Sequence, residues 1–188
     1  MRGGKHVSQH IRGTDYEQLD MMPSKLSYRN LDLTLEKQKK PVERLKQLLQ
    51  PLRQEYEFIF LDCPPNISLV SENIFHAADL ILVPMIPTIL SAMTYEKLLK
   101  FFDKYGLSKR RIRPFFSMVE RRKKLHADLM QSMLKENGKF LTTAIPYLSE
   151  VERMGLYREP LTRRYPNSRS AVAYQLLWEE IKKLQKNG

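Results

Sequence analysis

The stretch that decides the fold is EYEFIFLDCPPNISLVSENIFHAADLILVPM, residues Glu55 to Met85. Two nearly continuous apolar runs, FIFL and LILVPM, flank a segment with helical spacing. This pattern is typical of two strands of a buried parallel sheet joined by a crossover helix. The first run ends in Asp62, which is followed by Pro64 and Pro65. Because doubly wound sheets bind ligands at the carboxyl ends of their strands, Asp62 is the first candidate for a functional side chain.

The same alternation of apolar and amphipathic segments continues along the chain. Further strands are predicted at LDMMPS (Leu19 to Ser24), RPFFSMV and FLTTAIP. Amphipathic helices are predicted at PVERLKQLLQPLRQ, at SAMTYEKLLKFFDKYGL, from Lys124 to Lys135, and at SRSAVAYQLLWEEIKKLQ. The prediction is one α/β domain over residues 1–188, with a doubly wound, mainly parallel sheet of five strands and helices on both faces.

Composition limits the class of protein. With 188 residues, 42% of them hydrophobic, the chain can bury one core. Its apolar runs are shorter than the roughly 18 residues that cross a bilayer, and the N-terminus lacks the apolar region of an export signal. A single cysteine, Cys63, permits no internal disulfide, so a cytoplasmic location is predicted. The four histidines lack ligand spacing, and no metal site of the His/Cys kind is predicted.

Positive charge is in excess and clustered. Lys and Arg number 32 against 21 Asp and Glu, a net charge of +11, which favours polyanionic partners such as nucleic acid. One cluster runs from Lys104 to Lys124, opposed only by Glu120, and a second comprises Arg153, Arg158, Arg163, Arg164 and Arg169. A merely solvated basic surface remains the alternative.

Asp62 by itself has two interpretations. A carboxylate at the end of a parallel strand can hold a magnesium-bound water or orient an attacking water. An Asp after a strand also commonly starts a turn or caps a helix.

The order of motifs resembles the partition and cell-division ATPases of the ParA/MinD family. The run YEFIFLDCPPNISLVSENIFHAADLILVPMIPTILSAMTYEKL is similar to the second acidic motif of that family and the elements after it. FFSMVERRKKLH, TTAIPYLSEVERMG and RRYPNSRSAVAYQLLWEEI follow in the family's order, so the similarity extends from about Ile11 to Leu184. It is closer to ParA than to MinD, because no terminal amphipathic membrane helix is evident. The implied fold is that of a P-loop NTPase of the deviant Walker class.

The resemblance also implies a function. Family members bind ATP with Mg²⁺, form a nucleotide-dependent homodimer, bind DNA without sequence preference on the nucleoid, and respond to a centromere-binding partition protein; no membrane partner is implied. Asp62 matches the catalytic acid, which contacts the metal through water. Met118 and Pro146 match segments near the adenine, although Met118 could fill a core and Pro146 could end a strand.

The DNA-binding residues of the family map onto the basic clusters. Arg122 falls on one such position, and its neighbours Arg121, Lys123 and Lys124 extend the surface. The second arginine of the family is replaced by Glu150, for which nearby Arg153 could compensate.

The phosphate-binding loop of the family has no match in this sequence. RGGKH, Arg2 to His6, is at most a chance echo or a remnant, so residues 1–188 correspond to the C-terminal two-thirds of the family domain. Without the P-loop strand, the edge of FIFLD would be exposed, which predicts poor solubility or self-association. Two hypotheses follow: a ParA-like partition protein that does not hydrolyse ATP alone, or a non-enzymatic basic module that binds DNA or a partner.

Overall fold

A computed structural model describes residues 7–24, 31–63, 66–136 and 138–186 of the chain. The RGGKH segment and the two prolines after Cys63 lie outside these ranges. The chain forms two compact units, Met1–Asp79 and Leu80–Gly188, and each is described by itself. The expectation of one domain therefore stays a prediction.

The helices of the first unit are short. After a 3-10 turn at Ser8–His10, the described residues form α1 (Leu31–Glu36), a 3-10 turn (Pro41–Glu43) that leads into α2 (Arg44–Leu49), another 3-10 turn (Leu52–Gln54) and α3 (Leu69–Ala77). The buried side chain of Asn73 on α3 donates to the carbonyl of Pro41 at 2.7 Å and accepts the N–H of Leu45 at 3.2 Å. Asn73 thereby fixes α3 against the start of α2, and the helix predicted around α2 forms as consecutive short turns.

Two predicted strands of the first unit differ from expectation. LDMMPS contributes only β2 (Asp20–Met21), which pairs antiparallel with β1 (Arg12–Gly13). FIFLD forms no strand, and Phe60 is 68% exposed. The reason is that a strand exists only with a hydrogen-bonded neighbour, and the described part of this unit provides none for residues 58–62.

The second unit contains the βαβ element that the sequence predicts. Strands β3 (Ile81–Met85) and β4 (Ile112–Phe116) are parallel, with Ile81 opposite Ile112 and Met85 opposite Phe116. The crossover is α4 (Ile89–Lys104). Thr88 caps its start by accepting the N–H of Ser91 at 3.2 Å, and Gly106 follows its end with a φ of +63°.

Four more helices complete this unit: α5 (Lys124–Glu136), α6 (Ser149–Tyr157), α7 (Leu161–Arg164) and α8 (Arg169–Lys186). Helices α5 and α8 are predicted from the sequence, whereas α6 and α7 are not. One face of α8 packs into a core formed by Leu141, Ile145, Ala173, Leu177 and Ile181. No helix in the described ranges is long and apolar enough to cross a membrane.

The predicted strand FLTTAIP runs beside β4 without forming a regular ladder. The N–H groups of Leu141 and Ile145 donate to β4, at Pro114 O (2.8 Å) and Phe116 O (2.9 Å). Between them, the N–H groups of Thr142 and Thr143 donate to the carboxylate of Glu180 on α8, each at 2.8 Å. The N–H groups of Thr142 and Thr143 are therefore bound to Glu180 and are not available for hydrogen bonds to a neighbouring strand.

Candidate functional site

The loop that follows β4 contains a strained residue. Met118 has a φ of +54°, in the left-handed region that non-glycine residues rarely adopt, and its side chain is 44% exposed. Such a conformation costs on the order of 1–3 kcal/mol and persists only where the surroundings impose it. Strain of this kind concentrates at functional sites, so the loop after β4 is a candidate functional site.

Backbone hydrogen bonds hold the loop on both sides of Met118. The N–H of Ser117 donates to Met85 O at 2.9 Å, and the N–H of Val119 donates to Ile145 O at 3.0 Å. Val119 forms a parallel bridge with Pro146, and its carbonyl accepts the N–H of Tyr147 at 3.1 Å. The structure therefore brings Met118 and Pro146, which the resemblance placed near a base, to neighbouring positions.

The next residues of the loop carry the predicted DNA-binding cluster. Arg121, Arg122, Lys123 and Lys124 are all exposed. Lys123 pairs with Glu120, whereas the other three make no ion pair with the described residues. Arg121, Arg122 and Lys124 are thus exposed cations without a neutralising partner in the described ranges, and such a surface attracts a polyanion.

Tyr147 links this loop to α6. Its hydroxyl donates to Glu152 at 2.9 Å, and this hydrogen bond, with the negative charge of Glu152, raises the pKa of Tyr147. Arg153, the next residue of α6, is exposed and unpaired within the described ranges. Arg153, the cation predicted to compensate for Glu150, thus lies on a helix that Tyr147 connects to the loop after β4.

Glu150, at the position where the resemblance implies an arginine, contacts the start of α8. It accepts the N–H of Ser170 at 3.3 Å, at the N-terminal end of α8. Hydrogen bonding from Ser170 lowers the pKa of Glu150. A carboxylate at a helix N-terminus is favoured by the helix dipole, so Glu150 acts as a cap for α8.

Asp62 lies in the first unit. Its side chain is exposed and makes no hydrogen bond or ion pair with the described residues. Partial burial, together with the charge of Asp62, raises the pKa of the Cys63 thiol, which disfavours the nucleophilic thiolate. The catalytic role of Asp62 therefore remains a prediction.

Within the described ranges, no group of three or more His, Cys, Asp or Glu side chains could hold a metal ion. Asp62, Met118 and Pro146 are the residues that the resemblance assigns to the nucleotide and its metal.

Comparison with known proteins settles the family. Residues 1–113 match the sequence model of the AAA_31 family, described as an AAA domain. The chain belongs to this family. A virulence plasmid ParA family protein of Chlamydia psittaci is 27% identical over 187 residues, which cover 96% of this chain and 70% of the relative. The sporulation initiation inhibitor protein Soj of Bacillus subtilis is 24% identical, covering 91% of this chain and 70% of Soj.

Solved structures confirm the fold. A plasmid partition protein from Borrelia burgdorferi bound to AMPPNP superposes with a TM-score of 0.80 at 21% identity, over 94% of this chain and 69% of that protein. MinD from Pyrococcus horikoshii, complexed with Mg-ADP, gives a TM-score of 0.71 at 20% identity, over 95% and 70%. The predicted resemblance to ParA and the α/β, P-loop NTPase-like fold are both confirmed.

The sequence pattern does not identify two residues that hold the loop. His126, on α5, is buried and its Nδ1 accepts the N–H of Glu120 at 3.2 Å. The second is Tyr147, described above. The available signal was the position of both residues next to predicted motifs, but neither hydrogen bond can be deduced from residue spacing.

Proposed function

We propose that this ParA-like protein binds DNA without sequence preference through Arg121, Arg122, Lys123, Lys124 and Arg153. The observation that carries the proposal is the exposed, unneutralised charge on the loop after β4. Contacts between such cations and phosphates release counterions, so they give affinity without reading base identity. Plasmid or chromosome segregation requires this mode of binding, since the protein must hold any stretch of the nucleoid.

The proposal includes a nucleotide-dependent homodimer that responds to a centromere-binding partition protein. Its support is the likeness to ParA relatives and to a partition protein solved with AMPPNP. Met118 and Pro146 would contact the base, because the bridge between Val119 and Pro146 brings them to neighbouring positions, with Met118 exposed and Pro146 half-buried. ATP hydrolysis by this chain alone is not part of the proposal.

A non-enzymatic module that binds DNA or a partner is the second candidate. The observation that favours it is the same exposed basic surface, which attracts a polyanion without any nucleotide. The two candidates differ in one measurable respect: the first requires ATP to change the oligomeric state or the DNA affinity, whereas the second requires neither change.

The decisive experiment measures DNA affinity over a salt series. The full chain is compared with an Arg121→Ala/Arg122→Ala variant on a short duplex of mixed sequence. The matched control is Lys37→Ala/Lys39→Ala, which removes the same charge from exposed positions of the first unit. If each arginine contacts one phosphate, the slope of log K against log salt falls by about 1.8 in the arginine variant, since each contact contributes about 0.9.

The outcomes separate a specific surface from general charge. The control should keep the wild-type slope, and affinity should not change when the duplex sequence is scrambled. Equal losses in both variants would assign the binding to net charge, and no measurable binding by the wild-type chain at low salt would refute the DNA proposal.

A further inference from the structure

We infer that His126 is a positioning residue that joins the base-contacting and DNA-contacting parts of the loop after β4. Through one side-chain hydrogen bond it holds Glu120, which lies between Met118 and Arg121. The inference rests on the proposed function, because it assigns His126 a role at that site.

The geometry ties His126 to the loop twice. Its ring is only 5% exposed, and Nδ1 accepts the backbone N–H of Glu120 at 3.2 Å. Its own N–H donates to Lys123 O at 3.0 Å, and the N–H of Lys123 donates to Glu120 O at 3.1 Å. Residues 120 to 126 therefore form a closed turn at the start of α5, with the imidazole on the inside.

The imidazole has to be neutral at Nδ1 in this arrangement. A nitrogen that accepts a hydrogen bond carries a free lone pair, so the ring proton is on Nε2. A side chain of similar volume without an acceptor would leave the N–H of Glu120 without this partner. Asparagine would keep an acceptor, because its Oδ1 is bonded to Cγ, as Nδ1 is in histidine.

The same hydrogen bond acts on both functional parts of the loop. Met118, two residues before Glu120, is held in the left-handed region, and a loosened loop can relax that strain by rotating its backbone. Arg121 and Arg122 follow Glu120 directly, so their Cα positions move with it. Loss of the acceptor should therefore disperse the cations that the proposed DNA surface needs in one place.

The test compares His126→Asn with His126→Leu in the full chain. Three quantities are measured: the dissociation constant for a short mixed-sequence duplex at one salt concentration, the exchange rate of the Glu120 amide by NMR, and the melting temperature. We expect His126→Leu to weaken DNA binding about five- to tenfold and to speed exchange of the Glu120 amide. His126→Asn should stay within about twofold of the wild type in both.

Each outcome has one meaning. DNA affinity of folded His126→Leu equal to that of the wild type overturns the inference and leaves the proposed function standing. An asparagine variant as impaired as the leucine variant overturns it too, because a merely packed histidine would show that result. If His126→Leu does not fold, His126→Gln replaces it, since its amide oxygen lies one bond too far from Cγ. A wild-type chain that binds no DNA overturns the proposed function and this inference together.

Discussion

Replacing Glu180 by alanine should destabilise the segment that carries Pro146. The Glu180 carboxylate accepts four hydrogen bonds from Thr142 and Thr143, two from backbone N–H groups at 2.8 Å and two from hydroxyls. These bonds hold residues 141–146 against α8 while Leu141 and Ile145 donate to β4. The expected effect is a loss of folding free energy together with a loosened bridge between Val119 and Pro146.

The size of the effect follows from those four bonds. A hydrogen bond to a charged group contributes about 1.5–3 kcal/mol. Because the site is partly exposed, water can replace the carboxylate as the hydrogen-bond partner of these hydroxyls and N–H groups in the variant. We therefore expect a loss of about 2–3 kcal/mol, less than the sum of four full contributions. In a chain of this size that lowers the melting temperature by about 4–12 °C.

The assay is thermal and urea denaturation of Glu180→Ala beside Glu179→Ala. Glu179 is the neighbouring residue on α8, is exposed and forms an ion pair with Lys182, so its replacement should cost less than about 1 kcal/mol. Equal stability of Glu180→Ala and the wild type would refute the reasoning, as would equal losses in the two variants.

The effect of Glu180 should also depend on pH. Partial burial raises the pKa of Glu180, but the hydrogen bonds from Thr143 and Thr142 outweigh it and leave the pKa lowered. The folded chain thus binds this proton less readily than the unfolded chain, and the stabilisation is complete above the ordinary carboxyl pKa. It is lost as pH falls through the lowered value, so the wild type and Glu180→Ala should converge in acid.

Three further predictions concern other parts of the molecule. Phe102→Ala should cost about 3–5 kcal/mol in urea denaturation, because Phe102 is 0% exposed; a loss below about 1 kcal/mol would show that its site collapses around the smaller side chain. Tyr56, whose hydroxyl donates to Asp20 at 2.6 Å, should titrate above its ordinary pKa, and Asp20→Asn should lower that pKa in an NMR titration of labelled tyrosine; no change would contradict the hydrogen bond. The chain alone should release no phosphate from ATP above background, and turnover abolished by Asp62→Ala would show the opposite.

Local pattern was sufficient for the β3–α4–β4 element. Its two apolar runs are the buried strands, and Gly106 ends the helix because its backbone is left-handed. The loop after β4 was located as well, because its charge and motif order are visible in the sequence. The same holds for α5 and α8, whose apolar spacing matches their buried faces.

Local pattern failed where a segment depends on a distant partner. FIFLD has the residue types of a buried strand but forms no strand. Strand propensity measures how well a segment fits into a sheet, and it does not indicate whether a second strand is present to pair with it. The apolar pattern does not predict α6 and α7, because few of their residues face a core: Leu161 is the one buried side chain in these two helices. Glu150 could not be assigned as a cap, because the start of α8 lies 20 residues further along the chain.

The sequence by itself determined the family, the parallel βαβ element and the position of the basic loop, because each depends on residue order and periodicity within a short window. Tertiary structure alone decided the state of the loop: the strained backbone of Met118, the bridge to Pro146 and the acceptor at His126. It also decided that Thr142 and Thr143 donate to Glu180, 38 and 37 residues away, instead of extending the sheet. A backbone N–H takes whichever acceptor folding brings within reach, and that choice is made in three dimensions.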